Sequence, residues 1–135
     1  MLRDKAYEYF ITRDLNCSEA VLMAISDEYG LGLDMEDLKL VSGFGRGIGC
    51  ARFCGVMTAL IAACGRMTIT GRAHTTENFD AVFSGLYDAF VEKIGSAECA
   101  ELKPIYRKPD VRCLQVVEMG LDVFEEYMAA LKQSE

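Results

Sequence analysis

Prolines are scarce in this chain: there are two, Pro104 and Pro109, and both fall in one short stretch. Alternating β-branched runs are equally few, so the period-two pattern of a sheet is missing. No apolar run approaches the ~20 residues that span a bilayer. The longest weakly polar stretch, Gly55 to Gly65, is about half that length and reads as a core helix.

Positive charge is also short, with 14 basic residues against 21 acidic ones and a formal net charge of −7. Such a balance repels phosphate backbones and anionic lipid surfaces, so neither nucleic acid nor a membrane is expected as a partner. The N-terminal stretch Met1-Leu2-Arg3-Asp4-Lys5 is charged and lacks the apolar region and cleavage site of a signal peptide. A soluble, cytoplasmic protein is expected. Its 51% apolar content is enough for one core, giving a single domain over residues 1–135, and beside an acidic surface it leaves room for a homodimer.

The specific cysteine signatures are missing too. There is no C-x-x-C, no paired zinc spacing, no haem attachment motif and no ferredoxin run. The stretch Gly43 to Gly49 is neither a Walker nor a Rossmann loop, since it lacks the Gly-Lys-Ser/Thr ending and a preceding strand. His74, the one histidine, sits in a polar loop with nothing to bring it to a cysteine, and reads as a surface residue.

What is present is helical periodicity. It predicts an all-α, compact single-domain bundle of about five to seven helices, with a glycine-rich turn before the central apolar helix. A first helix is expected from about Arg3 to Thr12. A second follows Asn16, which stands in capping-box spacing with Glu19, and stops at Gly30. A short third follows Asp34. Ser42 to Gly49 holds four glycines in eight residues and leads into the apolar helix carrying Cys54 and Cys64. Beyond a polar loop from Thr70 to Thr76, an amphipathic helix runs from Phe79 to a stop at Gly95. Ser96 is expected to cap a short helix containing Cys99, Pro104 to Pro109 to form a loop, and Asp110 to cap a long last helix carrying Cys113.

Six cysteines are too few for a disulfide scaffold, and a cytosolic chain keeps its thiols reduced. On this reading Cys17, Cys99 and Cys113 fall in first turns of helices, and Cys54 follows the glycine turn into another. Unpaired N–H groups and the positive end of the macrodipole favour a thiolate there, the form that attacks and ligates. Structural cysteines would instead fall anywhere along apolar faces. Cys64, among Leu60, Ile61, Ala62 and Ala63, reads as a small core side chain. Cys50, one turn before Cys54, shares a face with it if both are helical.

The order of these elements resembles the C_GCAxxG_C_C family, redox-active helical proteins of about this length. The resemblance rests on Asn16-Cys17-Ser18-Glu19-Ala20-Val21-Leu22, Ser42-Gly43-Phe44-Gly45 with Gly47 and Gly49, Cys54-Gly55, Cys99-Ala100-Glu101-Leu102 and Arg112-Cys113. It implies that Cys17, Cys54, Cys99 and Cys113 are the family's four cysteines. After Cys54-Gly55 the family's Ala-x-x-Gly is replaced by Val56-Met57-Thr58-Ala59, and Cys50 and Cys64 are additional.

Three functions follow as expectations. The first is thiol/disulfide exchange or electron transfer, with Cys54 the attacking thiol, Cys17 its resolver, and a protein or small molecule as redox partner. In the second, the same four cysteines, Cys17, Cys54, Cys99 and Cys113, bind an iron–sulfur cluster or a zinc ion. The third is a helical scaffold with inert cysteines.

Overall fold

The structure is a computed structural model describing residues 2–134; Met1 and Glu135, the ends of the expected domain, lie outside the described residues. Seven α-helices make up the described chain, which has no strand and only isolated bridges at Phe53–Glu98 and Lys108–Arg112. None of the described helices is long and apolar enough to cross a membrane.

Helix α1 (Leu2–Tyr7) does not continue unchanged to Thr12, as the periodicity suggests; it widens into a π-type turn over Glu8–Thr12. The Arg13 N–H reaches the Glu8 carbonyl at 2.9 Å, the i→i−5 spacing of such a turn. The wider turn buries Tyr9 and Phe10 together while Thr12 and Arg13 stay exposed.

Helix α2 (Cys17–Tyr29) starts at the expected capping box. The Asn16 side chain accepts from the Glu19 N–H at 3.0 Å, and Glu19 accepts from the Asn16 N–H at 2.9 Å. Gly30 ends the helix in the left-handed region. Helix α3 (Met35–Ser42) repeats the device with Asp34 and Asp37. Helix α4 (Gly55–Thr68) is apolar nearly all round because it is the centre of the molecule, touching α2 and, across the core, helices α5 (Phe79–Ile94) and α7 (Leu114–Gln133). Leu60, Leu86, Phe90, Leu121 and Phe124 are fully buried where these helices meet. Each contributes about 1.5–3 kcal/mol by leaving water.

Two helix starts differ from expectation. Helix α6 (Cys99–Tyr106) is preceded by Glu98 rather than capped by Ser96, and it contains Pro104 instead of ending before it. Pro104 leaves the carbonyl of Ala100 without its usual donor, which costs little because Ala100 is exposed to solvent. Helix α7 begins at Leu114 with Cys113 at its N-cap, because residues 108–112 close a tight loop. There the Arg112 N–H donates to the Lys108 carbonyl at 2.7 Å, and Lys108 returns the bond at 2.9 Å. Asp110 is therefore a loop residue and caps nothing.

The contact of α7 with α4 is made through Gly120. A Cβ there would lie 2.5 Å from Val56 Cγ1 and 3.4 Å from a Phe90 ring carbon. Gly120→Ala is expected to destabilise the fold by roughly 1–3 kcal/mol through overpacking. Adding Val56→Ala should recover part of that loss, a coupling that a double-mutant cycle in urea measures. Strictly additive costs would place the conflict elsewhere.

Candidate functional site

Cys17, Cys54, Cys99 and Cys113 line one cavity of about 250 Å³, formed where the starts of α2, α4, α6 and α7 meet. Apolar walls come from Phe10, Val56, Leu102 and Val116. Cys50 and Cys64 do not line it: Cys50 is exposed in the glycine turn, and Cys64 is fully buried in α4. All six cysteines carry free thiols.

Each cysteine is fixed by a separate local device. Cys17 follows the Asn16 cap, whose Nδ2 also donates to the Ser42 carbonyl at 2.9 Å. The buried Ser18 hydroxyl donates to the Val41 carbonyl at 2.7 Å, and the Ser42 hydroxyl donates to Glu19 Oε2 at 2.6 Å. The Asn16-Cys17-Ser18-Glu19 run is therefore more than a cap, since it ties the start of α2 to the end of α3. Gly55 lies directly on this cysteine: a Cβ there would be 2.6 Å from Cys17 Sγ.

Cys54 and Cys99 are set by reciprocal backbone bonds. The Cys54 N–H donates to the Ala97 carbonyl and the Cys99 N–H to the Arg52 carbonyl, both at 2.7 Å, on either side of the Phe53–Glu98 bridge. Cys113 is held through its neighbour. The Arg112 guanidinium donates to the Phe10 carbonyl, stands 4.1 Å over the Phe10 ring, and pairs with Asp14 at 3.4 Å.

The glycine turn that delivers Cys54 is left-handed backbone. Arg46, Gly47, Ile48 and Gly49 have φ of 57, 64, 65 and 68°, and Ala51 has 61°. Non-glycine residues cost roughly 1–2 kcal/mol each there. This geometry turns Cys50 outward, so Cys50 and Cys54 do not share a helical face as their spacing allows. Cys50 instead directs its thiol at the Gly47 carbonyl at 3.5 Å.

Electrostatics run against the expectation of stabilised thiolates. Burial pushes the Cys54 thiol up from 9.0 to about 12, and raises Cys17 and Cys99 as well. The N–H groups of Val56 and Met57 face the Cys54 sulfur, and those of Arg46 and Ser18 face Cys17, favouring the anions without making full hydrogen bonds to them. Removal from water outweighs these helix-start dipoles. The nearby cysteines add mutual repulsion between anions, so the Cys54 thiol is raised further by Cys17 and Cys99.

A thiol whose folded pKa lies above its unfolded value stabilises the fold fully below the unfolded pKa. For Cys54 that contribution is present below about pH 9 and lost as pH rises toward 12. Urea midpoints of the wild type should therefore fall more steeply over this window than those of Cys54→Ala. Parallel pH profiles would show that Cys54 titrates normally.

Local sequence pointed to the four cysteines but missed the cations around them. Arg46, Lys103, Arg107 and Arg112 line the same cavity, with Asp14 as its one acidic lining residue. Cys99 and Lys103 stand at i and i+4 on α6, with Arg107 four residues further on at its C-cap, a spacing that the sequence alone could have revealed. His74 is exposed, on a 3₁₀ turn over Ala73–Thr75.

Comparison with known proteins adds three findings. The family model described as "Putative redox-active protein (C_GCAxxG_C_C)" matches residues 15–127, a span that contains all the cavity cysteines. A protein of Archaeoglobus fulgidus, described as uncharacterized, is 25% identical over 122 residues, covering 80% of this chain and 81% of its own. No solved structure matches.

Proposed function

Because the chain belongs to the C_GCAxxG_C_C family of redox-active proteins, we propose that Cys17, Cys54, Cys99 and Cys113 form its redox centre by holding an iron–sulfur cluster. The observation that carries this reading is the meeting of four sulfurs from four helix starts around one cavity of about 250 Å³. Four cysteine thiolates are the common donor set for such clusters. A single ion fits less well, since no three His, Cys, Asp or Glu side chains among the described residues gather as one metal ion requires. A cluster needs sulfurs set around a volume, and the lining of one cavity by all four cysteines supports that reading.

When bound, the cluster supplies one-electron chemistry; the chain supplies its setting. Protonated, desolvated thiols are poor nucleophiles, yet the same burial and the N–H groups facing Cys17 and Cys54 would suit sulfurs that release their protons to solvent and ligate iron as thiolates. Phe10, Val56, Leu102 and Val116 exclude water, which tunes the potential.

Thiol exchange is the second reading, favoured by the closeness of Cys17 and Cys54. One thiolate would attack a partner disulfide, expelling one partner thiol; the other would then displace the second, leaving a Cys17–Cys54 disulfide and a two-electron-reduced partner. The deeper burial of Cys54 suits it to resolve and the more open Cys17 to attack, reversing the order inferred from local sequence.

Anaerobically purified protein tests both. Bound iron, acid-labile sulfide and visible absorption are expected. Colourless, metal-free protein that loses two thiols on oxidation, mapped to Cys17 and Cys54, would favour exchange. Neither iron nor oxidisable thiols would reject the redox centre.

A further inference from the structure

We propose that the electron-exchange partner of this centre is a small anion, bearing a carboxylate, phosphate or sulfonate, held at the cavity mouth by Lys103, Arg107 and Arg46. The inference rests on the four cysteines being a redox centre and adds the chemical class of what meets it.

The first support is an inversion of charge. The chain carries 21 acidic and 14 basic residues, yet of the five charged residues lining the cavity, Arg46, Lys103, Arg107, Arg112 and Asp14, four are basic. Asp14 is already paired, with Arg112 at 3.4 Å, and Arg112 is further fixed by the Phe10 carbonyl and ring.

The remaining three cations have no carboxylate within 4.0 Å and make no side-chain hydrogen bond among the described residues; other basic residues are divided, Arg3, Lys5 and Lys93 pairing with acids while Arg13, Arg66 and Lys108 do not. Leaving them unpaired in an acid-rich chain keeps their positive potential directed at the opening.

Placement gives the second support. Lys103 lies one turn beyond Cys99 on α6, and Arg107 is the C-cap residue just past the helix end, so exposure rises from the buried sulfur through half-buried Lys103 to exposed Arg107. Both cations lie near enough to Cys99 to favour its anion. Arg46, in left-handed backbone, lines the same cavity, its N–H facing Cys17. A fork of guanidinium and ammonium donors around a concave, partly apolar cavity is suited to an oxyanion with a small organic body.

Two measurements test this on the full chain as purified. In the first, inorganic phosphate is titrated in and followed by ¹⁵N–¹H shifts. Saturable shifts at Arg46, Lys103 and Arg107, lost in Lys103→Gln/Arg107→Gln with unchanged circular dichroism, are expected. Small unsaturated shifts spread over the chain would overturn the anion site. In the second, the reduced protein is mixed with ferricyanide, a trianion, or tris(bipyridine)cobalt(III), a trication; one electron passes to each complex and no bond breaks.

The net charge of −7 by itself makes ferricyanide oxidation accelerate with added salt. The proposal expects the reverse, a fall of about tenfold from low to high salt, reversed in sign by the double variant. Acceleration with salt in the wild type would overturn the proposal even if electron transfer is fast. Saturable phosphate shifts with no electron transfer to either complex would leave the anion site standing and sink the redox centre instead.

Discussion

Replacing Cys17, Cys54, Cys99 or Cys113 with serine is expected to abolish the redox centre, whereas Cys50→Ser leaves it intact and Cys64→Ser costs only stability. The four line one cavity, and a serine hydroxyl is neither a soft ligand nor a comparable nucleophile. Loss of iron retention or thiol reactivity should exceed the ~10–100-fold that removing a merely supporting hydrogen bond costs at a metal site. Cys50 is exposed, with its thiol on the Gly47 carbonyl and away from the cavity, so a serine there keeps the same contact.

Cys64 is buried in α4, and a hydroxyl without a partner would cost about 1–3 kcal/mol. The Thr68 hydroxyl donates to the Cys64 carbonyl at 2.7 Å and its oxygen can accept from a serine there, so a partner is at hand and the low end of that range is expected. Iron content, thiol titration and urea midpoints across the six variants check the division. Equal tolerance of all six would leave only an inert helical scaffold.

Gly47→Ala is expected to be the most damaging substitution in the glycine turn, and Gly49→Ala among the mildest, although their backbones match, with φ of +64 and +68°. Both substitutions place an L side chain in the left-handed region, at roughly 1–2 kcal/mol. Their surroundings differ. A Cβ on Gly49 meets nothing within 4 Å, while one on Gly47 would stand 2.6 Å from the Arg52 nitrogen, 2.6 Å from Cys99 Cβ and 2.8 Å from the Arg52 carbonyl.

Arg52 is the residue whose carbonyl accepts the Cys99 N–H, so the turn cannot yield without moving that cysteine. The extra cost is roughly 1–3 kcal/mol of overpacking. It should come with loss of the redox centre, since Cys99 and Cys54 are held by the same pair of backbone bonds. Melting curves and iron or thiol content of the two variants measure the difference; equal effects would assign the whole cost to backbone strain.

The capping box at Asn16 and Glu19, the stops at Gly30 and Gly95 and the apolar helix from Gly55 were legible because each depends on residues within a turn or two of one another. The same locality marked Cys17, Cys54, Cys99 and Cys113 as a group, since each stands at or beside a helix start. It misplaced the starts of α6 and α7, where reciprocal backbone bonds from residues distant in sequence (at α6) and a tight loop (at α7), rather than Ser96 or Asp110, set the first turn.

Protonation was decided by tertiary structure alone. A helix start favours a thiolate only while water or donors remain, and the packing of Phe10, Val56, Leu102 and Val116 around the cavity removes the water. The meeting of four sulfurs and four cations was equally beyond local reading, because it requires α2, α4, α6 and α7 to point their first turns at one place. The sequence by itself marked the four cysteines as a group and placed them at helix starts. Only the packing of those helices decided that the cysteines share a cavity, that Cys50 stays outside it, and that its mouth is positive on an acidic protein, because convergence and desolvation are properties of what lies across the core.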